Sequence, residues 1–235
     1  MSTRLDVPGT YNFRDYAGFS VAGGSIPERA LFRADALHRL HTPAALTDLG
    51  IRTVVDLRDD MERSYLVNRV PEQVRTVAAP VFPSAMAHVN SGLNIHSFTE
   101  MIYQRYGTQL VNAVTQLADA DSGAVLFHCT AGKDRTGAVA ALTLLTLGAD
   151  RDDVLEDYAQ SETNLAGEWL ENHLASLPEL DEHTLGLVSL TPASATDQAL
   201  RAVEQEFGSI ERYLTAHGMT EAVRDRLRAR FVTAL

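Results

Sequence analysis

The chain has 235 residues, 45% of them hydrophobic and 22% charged, and carries a formal net charge of -11. These are the proportions of a soluble globular protein with one substantial core, and the excess of acid argues against nucleic acid as a partner. The single cysteine excludes an intramolecular disulfide, which fits a reducing compartment.

Residues 1–13 contain no apolar stretch of signal-peptide type. The longest nearly apolar run, Gly137 to Ala149, is shorter than the roughly 20 residues of a membrane-spanning helix and reads as a buried helix. The expectation is a single domain over 1–235, cytoplasmic and without an integral membrane segment; export without a recognisable signal stays open.

Taken along the chain, residues 10–35 are rich in glycine and aromatics. Turn signals at Ala22-Gly23-Gly24-Ser25 suggest a small hairpin or an irregular covering segment. Thr42-Pro43 opens a short helix ending at Gly50, with Thr42 as N-cap and proline at the first helical position. Ile51 to Leu57 is a β-branched run that reads as a buried parallel strand, and a second short strand is predicted near Val77 to Phe82. Phe98, Met101, Ile102, Leu110, Val114 and Leu117 recur at helical spacing and predict one helix over Ser97–Asp119. Ala124–Phe127 is another buried strand, followed after a short loop by a helix from about Arg135 to Leu147. Beyond Asp150 everything reads as helix: 152–160, 163–177, 196–206, 209–216 and 220–233. The fold class is therefore α/β, a mostly parallel sheet flanked by helices with an all-helical C-terminal third.

The loop between the last strand and its helix carries the chemistry. It reads His128-Cys129-Thr130-Ala131-Gly132-Lys133-Asp134-Arg135-Thr136-Gly137 and holds both the lone cysteine and the only lysine beside nineteen arginines. A strand–loop–helix junction binds anions, because loop amides and the unpaired N–H groups of the first helical turn converge there. The same positive field favours thiolate over thiol. Cys129 is then the nucleophile, and Arg135 can fold back over the loop and grip two phosphate oxygens in its planar fork. Thr130, Ala131, Gly132 and Lys133 would contribute the substrate-binding loop, with Gly132 allowing the backbone to turn. His128 would brace the loop from behind, and Thr136 would donate to the sulfur. A cysteine after an apolar strand is often an inert core residue; the flanking His, Arg and Thr make that reading a poor fit. A Walker A loop is excluded by Phe127 and Asp134 where it needs Gly and Ser/Thr, and a zinc site lacks a second cysteine.

The Cys-x5-Arg loop resembles the signature of the protein tyrosine phosphatase superfamily. Segments Asn12–Gly18, Leu31–Asp35, Leu49–Arg58, Asp157-Tyr158 and Phe207–Ser209 are similar to one branch, the bacterial atypical tyrosine/lipid phosphatases with a Lys-Asp-Arg loop. The resemblance implies a phosphomonoester hydrolase with a phosphocysteine intermediate and no metal or other cofactor. Its substrates would be phosphotyrosine proteins, and also phosphoserine/threonine or phosphoinositides. Most superfamily members carry a general-acid aspartate some thirty residues before the cysteine, but no aspartate lies between Asp60 and Asp119 here. The branch implies Asp134 as the acid; Asp56 and Asp59, at the end of the strand Ile51–Leu57, are the alternatives. Glu100 is the one acid near the usual place.

Lys133 either joins Arg135 in binding highly anionic substrates or points outward. Arg14 and Asp15 either support the loop, contact substrate or pair at the surface, while Asp152-Asp153, Glu156-Asp157 and the charges of 221–230 read as solvated helix faces. Phe98, Tyr103 and Tyr106 read as core or helix surface. Residues 161–190, with a break at Leu177-Pro178, are either a helical lid over Cys129, as in related phosphatases, or a packed part of the C-terminal layer. A silent phosphate-binding module is the competing reading. A sulfurtransferase usually has a shorter loop, and an arsenate reductase usually needs partner cysteines.

Overall fold

In the computed structural model, residues 1–83, 92–177 and 180–234 are described. The strands are β1 (Thr3–Arg4), β2 (Arg14–Asp15), β3 (Ser20–Val21), β4 (Gly24–Ser25), β5 (Leu31–Ala34), β6 (Ile51–Asp56), β7 (Arg75–Ala78) and β8 (Ala124–His128). Six of them form one sheet in the order β1-β2-β5-β8-β6-β7, and β3 with β4 makes a separate hairpin, the first of the two alternatives left open by the turn signals at Ala22–Ser25. β5, β8, β6 and β7 run parallel, while β1 and β2 are antiparallel at one edge.

The central strand, β8, is buried along its whole length. Its side chains alternate between two cores: Val125 and Phe127 face one, Ala124 and Leu126 the other. Next to it, Ile51 and Val54 share a core despite their odd spacing, because the register shifts between Ile51 and Thr53. The strand at Leu31–Ala34 was not expected from the sequence. Arg33 interrupts its apolar run, yet that arginine is fully buried.

The helices are α1 (Ala44–Asp48), α2 (Asp60–Tyr65), α3 (Ile95–Arg105), α4 (Gly107–Ala118), α5 (Asp134–Leu147), α6 (Arg151–Leu165), α7 (Glu168–Ala175), α8 (Glu182–Ser189), α9 (Ala193–Phe207), α10 (Ile210–Ala216) and α11 (Glu221–Phe231). Pro43 has helical dihedrals and so opens α1, as predicted. The helix expected over 97–119 is two. It breaks at Tyr106, whose φ of -119° and ψ of 24° leave the helical region. There Gly107 lies against His217, whose ring would be 2.5 Å from any Cβ at that position. The boundary predicted between 160 and 163 instead falls at Ala166-Gly167, where Gly167 has a φ of +78°. The predicted break at Pro178 lies outside the described residues.

α5 is the buried helix expected for the apolar run after the loop, and it packs between α4 and α6. On α6, Asp157 corrects a second expectation: it is buried, not solvated. Its carboxylate accepts from Arg33 Nη1 at 2.6 Å, Tyr16 Oη at 2.9 Å, Arg14 Nη1 at 3.3 Å and the Ser2 hydroxyl. Arg14 also donates to the Asp157 carbonyl at 2.5 Å and to Ser161 at 2.9 Å. It therefore neither pairs at the surface nor faces substrate. Asp15 accepts from the amides of Ala17 and Arg29, and so supports a turn. Burial alone would raise the Asp157 carboxyl, but Arg14 and Arg33 outweigh it and hold it below the usual carboxylate range. Among the described residues, no helix is long and apolar enough to cross a membrane.

Removing the Asp157 carboxylate would strand two arginines in the core. Asp157→Ala should lose about 3–5 kcal/mol in urea unfolding. Because the folded-state carboxyl is depressed, its contribution is present above the usual aspartate range and is lost as pH falls through the folded value. Asp157→Asn should accordingly flatten the acid limb of the stability curve.

Candidate active site

Cys129 follows β8 directly and is 3% exposed, at the C-terminal edge of the parallel strands. The chain then turns through 130–133 into α5. Gly132 has a φ of +66°, and a Cβ there would sit 2.3 Å from the Ala34 carbonyl oxygen, so this turn requires glycine.

Arg135, in the first turn of α5, folds back over the loop. Its Nη1 and Nη2 lie 2.5 and 2.7 Å from the two carboxylate oxygens of Glu62, and its Cζ stands 5.1 Å from the Phe82 ring centroid. Glu62 is in turn fixed from its own helix. It closes a capping box with Asp59 and accepts from Thr130 Oγ1 at 2.5 Å. Burial would raise its carboxyl, but Arg135 and Thr130 hold it below the usual range. Burial likewise opposes the charge on Arg135, and the bond from Glu62, with Cys129 and Asp134 nearby, more than restores it. Sequence reading missed Glu62. Its only local trace is the Asp59-x-x-Glu62 spacing, which signals a helix start and nothing more.

Asp134 lines the same cavity as Cys129. Its Oδ1 is buried without a hydrogen-bond partner, 3.7 Å from Lys133 Nζ. Burial raises its carboxyl above the usual value despite Lys133 and Arg135. Asp59 also lines the cavity, whereas Asp56 is held away from it. Asp56 takes a bidentate grip from Arg58 at 2.9 and 2.7 Å, and accepts from Asn68 at 3.0 Å. Glu100 binds Gln104 and Gln198 outside the cavity.

His128 braces the loop. Its Nδ1 lies 2.7 Å from the Cys129 carbonyl, which can only accept, so Nδ1 carries the proton. Nε2 then accepts from Asn68 Nδ2 at 2.9 Å, and burial lowers the ring's pKa towards this neutral form. Thr136 departs from expectation, because its buried hydroxyl has no hydrogen-bond partner and does not reach the sulfur. Lys133 is buried and, like Arg135, lines the cavity, so it does not point outward. Its ammonium donates to the carbonyls of Leu187, Leu190 and Val188 at 2.5, 3.1 and 3.2 Å, at the C-terminal end of α8.

The cavity that Cys129 lines measures about 760 Å³ and is mainly apolar. Phe82 and Phe98, Met61 and Tyr65 of α2, and Trp169, His173, Leu187 and Val188 of α7 and α8 line it as well. Phe98 is thus both core and cavity lining; Tyr103 is core alone.

A family model described as the tyrosine phosphatase family matches residues 5–233. The chain belongs to that family. It is 31% identical over 218 residues to a candidate tyrosine-protein phosphatase of Cupriavidus necator, covering 86% of this chain and 80% of the relative. It is 28% identical to the triple specificity protein phosphatase PtpB of Mycobacterium tuberculosis, over 95% of this chain and 97% of that one. The crystal structure of TpbA from P. aeruginosa superimposes with a TM-score of 0.51 at 18% identity, covering 93% and 96% of the two chains, which supports the fold. The protein is a phosphatase, and phosphorylated molecules are its substrates.

Because both Nη atoms of Arg135 are committed to Glu62, the phosphatase should depend on that carboxylate. Glu62→Ala should lower kcat/KM for p-nitrophenyl phosphate by about 10–100-fold, roughly 1.4–2.8 kcal/mol of transition-state stabilisation. Glu62→Gln, which keeps one acceptor, should fall between. Steady-state kinetics checks both.

Proposed function

We propose that this phosphatase hydrolyses phosphomonoesters through a covalent phosphocysteine on Cys129. The observation that carries the reading is that Cys129, Asp134 and the folded-back Arg135 line one cavity. The thiolate sulfur attacks phosphorus and the ester P–O bond breaks. Asp134 gives its proton to the departing oxygen. Water then attacks phosphorus, the S–P bond breaks, and Asp134 takes the water's proton. The amides of Thr130, Ala131, Gly132 and Lys133, with Arg135, hold the equatorial oxygens. An acid whose carboxyl is raised by burial suits the donor's role. Asp56, engaged by Arg58 and Asn68, does not suit it.

The apolar cavity suits phosphotyrosine, and its size also admits phosphoserine or phosphothreonine peptides and the headgroup of a phosphoinositide. PtpB is named a triple specificity phosphatase, which favours this breadth. Residues of α7 and α8 line the cavity, and α8 carbonyls accept from Lys133 of the loop; both favour reading 161–190 as a lid with Lys133 as its clasp. In that reading Lys133 binds substrate when α8 leaves its ammonium free.

Cys129→Ser should abolish turnover while retaining inorganic phosphate binding; residual activity above about one part in a thousand would overturn the covalent pathway. Wild-type turnover of p-nitrophenyl phosphate excludes a silent binding module.

For phosphotyrosine, Asp134→Asn should lower kcat by roughly 10²–10⁴. The proton donor must be protonated, so the alkaline limb of kcat/KM should fall as pH rises through a value above the usual aspartate range, and Asp134→Asn should remove that limb. If Asp59→Asn removes it instead, the acid is Asp59.

Lys133→Met should speed alkylation of Cys129 by iodoacetamide without unfolding the protein. An unchanged rate would mean that α7 and α8 belong to the packed layer.

A further inference from the structure

An anion cradle made of amides imposes a condition on the other half of each peptide. In a trans peptide the C=O and the following N–H point in opposite directions, and no cis bond occurs among the described residues. For the loop amides to face the phosphoryl group, the preceding carbonyls must face the protein, and buried carbonyls need donors there.

The donors form a series. The His128 carbonyl accepts from Leu57 N at 2.9 Å, Cys129 from His128 Nδ1 at 2.7 Å, and Thr130 from Ala36 N at 3.0 Å. Two carbonyls remain, and neither is served by backbone. Asn12 Nδ2 donates to Ala131 O at 3.2 Å and Gly132 O at 3.0 Å, and Arg33 Nη2 donates to Gly132 O at 2.6 Å. Both side chains are fully buried and neither lines the cavity.

Each is itself held from behind. The Asn12 amide must turn its NH2 to the two carbonyls, and its Oδ1 then accepts from Asn164 Nδ2 at 3.1 Å. Its backbone N–H donates to Asp35 at 2.9 Å. Arg33 keeps Nη1 on Asp157 at 2.6 Å, so its charge is neutralised away from the loop.

We propose that Asn12 and Arg33 are positioning residues for phosphoryl transfer. They fix the rotation of the 131–132 and 132–133 peptide planes and thereby aim the Gly132 and Lys133 amides at the anion. The inference rests on the phosphocysteine reading. It requires the loss to appear as weaker oxyanion binding and a lower kcat in protein that is still folded.

Inorganic phosphate binding is measured by calorimetry in the Cys129→Ser background, and kcat and KM for p-nitrophenyl phosphate with Cys129 intact. Asn12→Ala should weaken phosphate by about tenfold and lower kcat at least as much, the scale of a lost hydrogen bond to a buried group. Asn12→Asp, which sets an oxygen against two carbonyl oxygens, should lose more, roughly 100-fold. Asn164→Ala frees only the far side of the Asn12 amide and should shift both quantities the same way by a few-fold. It provides the test if Asn12 variants fail to fold. Arg33→Lys keeps a charge opposite Asp157 without the fork, and should show the same joint loss. Variants that melt earlier yet bind phosphate with full affinity and keep kcat would overturn the inference and reduce Asn12 to packing. Turnover by Cys129→Ser would instead overturn the phosphocysteine reading.

Discussion

The carbonyls of 128–132 all accept from donors inside the protein, as a loop that offers its N–H groups to a dianion in the proposed mechanism requires. That requirement orders much of the fold. The loop leaves the central strand, so its first carbonyls can borrow donors from the ends of neighbouring strands: Leu57 beyond β6 and Ala36 beyond β5. The last two carbonyls take a side-chain amide from Asn12 of the N-terminal segment and a guanidinium from Arg33 of β5. The guanidinium brings a charge into the core, and the charge brings Asp157 of α6 with it. Thus the N-terminal segment, the sheet and the helical third are joined through one buried carboxylate.

Electrostatics follows the same division. The molecule as a whole is acidic, so an anionic substrate is captured by local field alone. In the proposed mechanism that field comes from three features, the loop amides, the start of α5 and Arg135. Glu62 offsets part of that charge while holding the fork in place. Lys133 adds little to the cradle while α8 carbonyls surround its ammonium.

The strand and helix that flank the 129–135 loop were legible in the sequence, because both announce themselves by periodicity on either side of a motif at fixed spacing. Contacts made by tertiary closure were not. Glu62 reaches Arg135 across 73 positions of sequence and shows locally only as half of a capping box. Asp157 stands in a run of mixed charges that looks solvated, and its burial depends on two arginines more than a hundred residues earlier. Arg33 hid β5 for the same reason, since a buried charge breaks the apolar pattern by which strands are recognised. The single helix read over 97–119 failed differently. Its apolar positions recur across the break, and Gly107 was the one signal of it.

The clasp between Lys133 and α8 has an evolutionary corollary. Its three acceptors are main-chain oxygens, so the grip depends on where the helix ends and not on which side chains it bears. Leu187 and Val188 also line the cavity. Replacements there could reshape the space above the cysteine while leaving the lysine's partners intact. Divergence in the side chains that α8 offers to the cavity is thus uncoupled from the main-chain bonds that hold α8 to Lys133, and relatives could drift apart in cavity shape without having to rebuild the loop.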